Sequence, residues 1–164
     1  MSTTHAYVGL GANLDDPVAA LRTAARRLTA LPGGSHTHAS SVYVSAPVDA
    51  DGPDFYNAVV AFNTTLPPGQ LLDHLLAIEQ AYGRERPFRN APRTLDLDLL
   101  LYGDLQLHTD RLTLPHPRMH QRAFVLAPLA ELAPDLVIPV HGSVASLLAR
   151  VSDQRISRTS ESLL

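Results

Sequence analysis

The chain has 164 residues, with 13 basic and 16 acidic side chains, a formal net charge of -3 and 45% hydrophobic residues. It contains no Cys, which excludes disulfides, thiolate zinc sites and a Cys nucleophile, and all thirteen basic residues are Arg, which excludes Schiff-base chemistry and a Walker-type phosphate-loop Lys. Such a length fits one domain burying roughly 70% of its unfolded surface, and a near-neutral charge is poorly suited to holding duplex DNA or an anionic membrane.

The start, Met1-Ser2-Thr3-Thr4-His5, has no cationic stretch leading into an apolar run, so no signal peptide is expected. No stretch approaches the ~18 apolar residues of a membrane helix, and a cytoplasmic location is the expectation. Residues 6–10 read as a buried strand ending at Gly11. Asp15 and Asp16 before Pro17 open a helix whose stripe is Val18, Leu21, Ala25 and Leu28, and Pro32-Gly33-Gly34 stops it. Residues 41–45 and 58–65 read as two strands around a loop holding Pro47, Gly52 and Pro53. Pro67-Pro68 opens a second helix, with Leu71, Leu75, Ile78 and Tyr82 on one face and Gly83 closing it. A charged loop over residues 84–93 leads into a strand over residues 94–102. This order, β-α-β-β-α-β, predicts a ferredoxin-like core. A hairpin around Gly103-Asp104, a helix near residues 121–132 and a short helix near residues 144–151 complete an α+β domain with an antiparallel sheet. One domain is expected over residues 1–151, with a frayed tail over residues 152–164.

The strongest local signal is Arg93-Thr94-Leu95-Asp96-Leu97-Asp98-Leu99-Leu100-Leu101. Strand alternation sends Leu95, Leu97, Leu99 and Leu101 into the core and puts Asp96 and Asp98 on the other face. Carboxylates roughly 6–7 Å apart repel by about 2–3 kcal/mol at an effective dielectric near 20, so a cation should offset them. A pair of Mg²⁺ ions clamping a polyphosphate fits; the alternative is a solvated strand face relieved by Arg or water. Immediately upstream, residues 84–93 carry Arg84, Arg86, Arg89 and Arg93 without helical or strand periodicity. Guanidinium forks suit phosphate oxygens, and the adjacent acid pair favours a metal-nucleotide site with a closing lid over a merely solvated charge run.

Downstream, Arg111-Leu112-Thr113-Leu114-Pro115-His116-Pro117 presents an imidazole between two prolines, followed by Arg118 and Arg122. A phosphate contact is the natural use of His116, and a loop-capping His is the alternative. In Pro53-Asp54-Phe55-Tyr56-Asn57-Ala58 an aromatic face and a side-chain amide suit recognition of a flat heterocycle, with Phe124 a candidate second slab; ordinary core packing is the alternative. Gly9-Leu10-Gly11-Ala12-Asn13-Leu14 begins like a dinucleotide fingerprint but has Leu14 where the third Gly belongs. It reads instead as a turn bringing backbone close to a ligand, with Asn13 bracing it.

Five ordered blocks resemble the 6-hydroxymethyl-7,8-dihydropterin pyrophosphokinase family. They are YVGLGANL from Tyr7, DFYNAV from Asp54, Ile78-Glu79 with Gly83-Arg84, PRTLDLDL from Pro92, and LTLPHPRMHQRAF from Leu112. The resemblance implies transfer of pyrophosphate from ATP to the pterin hydroxymethyl oxygen, releasing AMP. It implies two Mg²⁺ ions on Asp96 and Asp98, catalytic Arg84 and Arg93, and ATP contacts from Arg86 or Arg89, Leu99, Arg111, Thr113, His116 and Arg122. The pterin would stack between Phe55 and Phe124 and bond to Asn57, with Ser45, Ala46 and Val48 lining its pocket and Glu79 and Asn13 supporting. The implied partners are small molecules, with no nucleic acid or membrane, and the implied state is a monomer. The chain departs from the family pattern in having no Trp in the loop, Pro117 after the His, and Leu76 at a position that can be polar. Two rival readings are a metal-dependent nuclease using the same Asp pair and a non-catalytic ferredoxin-like binding module.

Overall fold

The computed structural model describes residues 2–13, 16–46, 53–83 and 95–164. Strand β1 (Thr4–Ala12) is followed by helix α1 (Pro17–Thr29). The Asp16 carboxylate caps α1, accepting from the Ala19 N–H at 3.2 Å, and Pro17 takes the first turn, where its missing donor costs nothing. Gly33 reverses the chain after α1 at φ +72; a Cβ there would lie 2.0 Å from Thr65 Oγ1, so both conformation and space demand Gly. Strands β2 (Gly34–Ala39), β3 (Ser41–Ser45) and β4 (Phe55–Thr64) come next, then helix α2 (Pro68–Gly83) and strand β5 (Asp96–Tyr102). A small hairpin, β6 (Leu107–His108) with β7 (Thr113–Leu114), leads to a 3-10 turn (Met119–Gln121) and helix α3 (Ala123–Leu132). A second hairpin, β8 (Val137–Ile138) with β9 (Gly142–Ser143), precedes helix α4 (Val144–Arg150) and strand β10 (Ile156–Ser162).

The main sheet is antiparallel in the order β10-β3-β4-β1-β5, with β2 also paired to β4. Strand alternation gives each face its own core. Val8, Leu10, Val60, Phe62, Leu97 and Leu99 pack against Leu21 and Leu28 of α1 and Leu71 and Leu75 of α2. On the other face Tyr7, Val59, Ala61, Leu100 and Leu101 pack against Leu126 and Leu129 of α3 and Val144 and Leu147 of α4. Each fully buried Val, Leu or Phe among them contributes about 1.5–3 kcal/mol. Helices therefore cover both faces, but α3 and α4 sit over one end of theirs.

Five expectations need correction. The sequence reading has two strands between the helices, whereas the structure has three; β2 (GSHTHA) lacks an apolar alternation and is held by its register on β4. The segment expected to fray forms β10, which pairs with β3 and buries Leu163. Strict alternation in β5 fails at Leu100, where Tyr7 pairs with Leu101 but Val8 pairs with Leu99. The extra residue is a β-bulge, and it turns Leu101 onto the α3 side with Leu100 instead of into the core of Leu97 and Leu99. Finally, the hairpin falls at β6–β7 rather than around Gly103-Asp104, and Gly9 and Gly11 lie inside β1 rather than in a turn.

Candidate active site

Two rows run across the uncovered end of the α3 face. Gly11 of β1 pairs with Asn57 of β4 on one side and Asp96 of β5 on the other, and Gly9 pairs with Val59 and Asp98. Between the amide of Asn57 and the carboxylates, β1 thus carries no side chain at all. A Cβ on Gly11 would stand 3.2 Å from Asn57 Nδ2, so the glycine keeps a shallow floor open beside the amide. Period-two glycines flanked by apolar residues were the signal for this floor, and a turn reading obscured it.

Asn57 is buried, at 5% exposure, and Ser45 Oγ donates to its Oδ1 at 3.0 Å. With that bond the Nδ2 donor faces Gly11. Phe55 is half-buried, shares the strand face of Asn57 and pairs with Ser45. Ala46 follows β3 and is exposed. Phe124 sits in the first turn of α3, packs against the core on that side and carries the Arg122 guanidinium 5.4 Å from its ring centroid. Val48 lies outside the described residues, as do Arg84, Arg86, Arg89 and Arg93.

Asp96 and Asp98 are both exposed on the same face. Between them, the Leu97 N–H donates to Glu79 Oε2 at 2.7 Å. Glu79 is a buried carboxylate on α2, at 8% exposure, and it fixes the backbone that carries the acid pair. A charge-assisted bond of this kind is stronger than a neutral one.

His116 follows the cis Leu114–Pro115 peptide, and its backbone N–H donates to the Leu100 carbonyl at 2.9 Å. Its Nδ1 accepts from the Arg118 N–H at 3.2 Å, so in the neutral ring the proton sits on Nε2, which lies 4.0 Å from Asp98 Oδ1. Burial lowers the His116 pKa below its ordinary value, with Arg122 and Arg118 pushing the same way and Asp98 opposing. The ring is a neutral donor near pH 7.

Not every expected residue presents its side chain to this face. Leu99 points into the α1–α2 core at 3% exposure, leaving only its backbone for a ligand at the β5 edge. Arg111 is exposed and pairs with Asp73 of α2, while Thr113 is half-buried in β7 and Asn13 half-buried just after β1. Sequence reasoning missed the Glu131 network, in which Glu131 accepts from Ser41 N–H, Ser41 Oγ and Tyr43 Oη and lies 3.5 Å from Arg158. Burial, reinforced by Glu131, raises the Tyr43 pKa. Tyr43 pairs with Asn57 in register, so this network anchors the strand beside the amide.

Hard oxygen donors on one open strand face suit Mg²⁺, and the bare floor at Gly9 and Gly11 leaves room beside them. Among the described residues no three ligating side chains cluster, so such an ion would complete its shell with phosphate oxygens and water, as Mg²⁺ commonly does.

Comparison with known proteins places the chain in context. The family model described as 7,8-dihydro-6-hydroxymethylpterin-pyrophosphokinase (HPPK) matches residues 7–134. The chain is 43% identical over 152 residues to the 2-amino-4-hydroxy-6-hydroxymethyldihydropteridine pyrophosphokinase of Haemophilus influenzae, covering 92% of this chain and 95% of that one. It is 46% identical over 153 residues to the enzyme of that name from Pseudomonas aeruginosa, covering 93% and 94%. Among solved structures it resembles wild-type Plasmodium falciparum HPPK-DHPS with pterin and p-hydroxybenzoate at a TM-score of 0.74 and 16% identity, a likeness of fold. That match covers 96% of this chain and 46% of the other, so the chain spans under half of the solved structure.

Proposed function

The chain belongs to the 7,8-dihydro-6-hydroxymethylpterin-pyrophosphokinase family, and on that premise we propose how its residues divide the work. The family's reaction moves a pyrophosphoryl group from ATP to the hydroxymethyl oxygen of 6-hydroxymethyl-7,8-dihydropterin in folate biosynthesis. The observation that carries the assignment is the row Asn57–Gly11–Asp96, which sets a heterocycle-reading amide one bare strand away from a phosphate-end carboxylate.

In this reading Asn57, oriented by Ser45, bonds the pterin edge, and Phe55 and Phe124 stack its faces, with Ala46 and Val48 lining the pocket. The hydroxymethyl group then points along the floor of Gly11 toward the carboxylates. Asp96 and Asp98 hold two Mg²⁺ ions, which when bound neutralise triphosphate charge and lower the pKa of the attacking hydroxyl. Glu79 holds the Leu97 backbone, so both carboxylates approach the phosphates from a rigid strand. His116 donates from Nε2 to a phosphate oxygen as a neutral group, tolerating Asp98 beside it. Arg84 and Arg93 balance charge on the transferring group, Arg86 or Arg89 holds the triphosphate, and Arg111, Thr113, Arg122 and the Leu99 backbone receive the rest of the nucleotide. Catalysis is then mostly positioning and charge stabilisation. The strand order β5-β1-β4-β3, with α1 and α2 on one face, supports reading the core as an elaborated ferredoxin-like unit.

Product analysis tests this reading. Mixing the protein with ATP, Mg²⁺ and the pterin should give pterin-dependent AMP, and Asp96→Ala should lower the rate by about 10²-fold or more. ADP as product, or AMP formation indifferent to Asp96, would overturn it.

A further inference from the structure

The imidazoles of His120 and His141 are stacked, with centroids 3.8 Å apart and planes within 8°. They come from different elements. His120 is the middle residue of the 3-10 turn, and His141 stands at the end of the β8–β9 turn. Neither belongs to the set assigned above.

Two features show that this contact is held at a cost. Among the described residues His120 Nδ1 is buried without a hydrogen-bond partner, although buried polar groups are nearly always paired. The turn that delivers His141 has Pro139 followed by Val140 at φ +74, closed by the His141 N–H donating to the Ile138 carbonyl at 3.1 Å. A β-branched residue in the left-handed region is an outlier, and Gly or Asn is the usual occupant of such a turn position. Strain of this kind persists where the surroundings over-determine it, and it is a pointer to function.

The 3-10 turn is where position matters. Its backbone connects the nucleotide residues in series. Met119 N–H bonds the His116 carbonyl at 3.4 Å, Gln121 N–H bonds Arg118 at 3.1 Å, Arg122 N–H bonds Met119 at 3.4 Å, and Leu126 N–H bonds Arg122 at 3.0 Å. Gln154 braces the far side, accepting from Ala123 N–H at 2.8 Å and donating to the Gln121 carbonyl at 2.9 Å. The two longest bonds of the series meet at Met119, next to His120, and the second spans His120 itself. Burial and then the neighbouring His120 lower the His141 pKa.

We propose that His120 and His141 are positioning residues: their stack clamps the 3-10 turn to the β8–β9 hairpin and thereby sets His116 and Arg122 for ATP. The proposal rests on the nucleotide assignment above. It places a determinant of ATP affinity in a hairpin remote in sequence from every assigned nucleotide contact.

The test compares the parent with His141→Ala and His141→Phe, the second keeping a flat ring. Direct titration with ATP and Mg²⁺ gives Kd, steady-state assays give kcat and both KM values, and proton NMR follows the His120 ring, whose resonances a stacked neighbour shifts. His141→Ala should move the His120 resonances and weaken ATP about fivefold in Kd and KM, with kcat and the pterin KM within about twofold. His141→Phe should restore ATP affinity. Displaced His120 resonances with unchanged ATP Kd would overturn the clamp, as would equal loss in Ala and Phe variants or a loss spread over kcat and both substrates. A parent that binds ATP yet makes no AMP would sink the pyrophosphokinase reading while the Kd comparison still decides the clamp; a parent that binds no ATP overturns both.

Discussion

Gly11 is the residue on which the proposed geometry turns. It separates the amide from the acid pair by one strand, and an added methyl would meet Asn57 Nδ2 at 3.2 Å. Gly11→Ala should therefore raise the pterin KM about tenfold, through a displaced amide, while lowering the melting temperature by only a few degrees. Equal loss of pterin and ATP affinity would contradict that. His116 supports a second expectation. Its folded pKa lies below its unfolded value near 6.5, because burial and two Arg outweigh Asp98. The unfolded chain then binds the proton more readily, so the contribution of His116 to stability is intact above about pH 6.5 and is lost as pH falls through the folded pKa. Measured without metal, melting temperature should fall more steeply between about pH 7 and 5 in the parent than in His116→Gln. Parallel curves would refute it.

At the scale of elements, legibility followed local pattern. The apolar runs of β1 and β4, the alternation that opens β5 and the proline-started helices α1 and α2 are written in neighbouring residues. β2 is not, because its residues show no apolar alternation and become a strand only through β4. β10 escaped for the same reason: Ser, Arg, Thr and Glu resemble a tail until Thr159 Oγ1 reaches the Val42 carbonyl at 2.8 Å and Arg22 meets Glu161 at 2.7 Å. The site divides likewise. That Asp96 and Asp98 share one face was readable from spacing, whereas Glu131 and the His stack join residues from separate elements. Since β10 flanks β3, which carries Ser45, a chain ending at Val151 should do more than lose a tail. Losing Leu163 and the β3 pairing should cost about 3–5 kcal/mol, near 10 °C in melting temperature, and should raise the pterin KM. An unchanged melting curve would show that β10 contributes nothing.

Over the whole molecule the sheet gives one face to a core beneath α1 and α2 and splits the other between a core and the site. Among the described residues no helix is long and apolar enough to cross a membrane. The bulge at Leu100 lies at that division. Upstream of it, the α3-side positions of β5 are carboxylates; at it, two successive leucines, 1% and 2% exposed, face the same side, and Tyr102 returns to the opposite face to donate to the Leu66 carbonyl at 2.6 Å. The Leu100 carbonyl receives the His116 N–H. Evolution can therefore exchange these leucines for other apolar residues far more freely than it can change their number. Dropping one residue between Asp98 and Tyr102 would rephase the strand, exile the tyrosine from its partner and loosen the His116 loop, so this stretch should act across relatives as a window closed to insertions and deletions, conserved in count before it is conserved in kind.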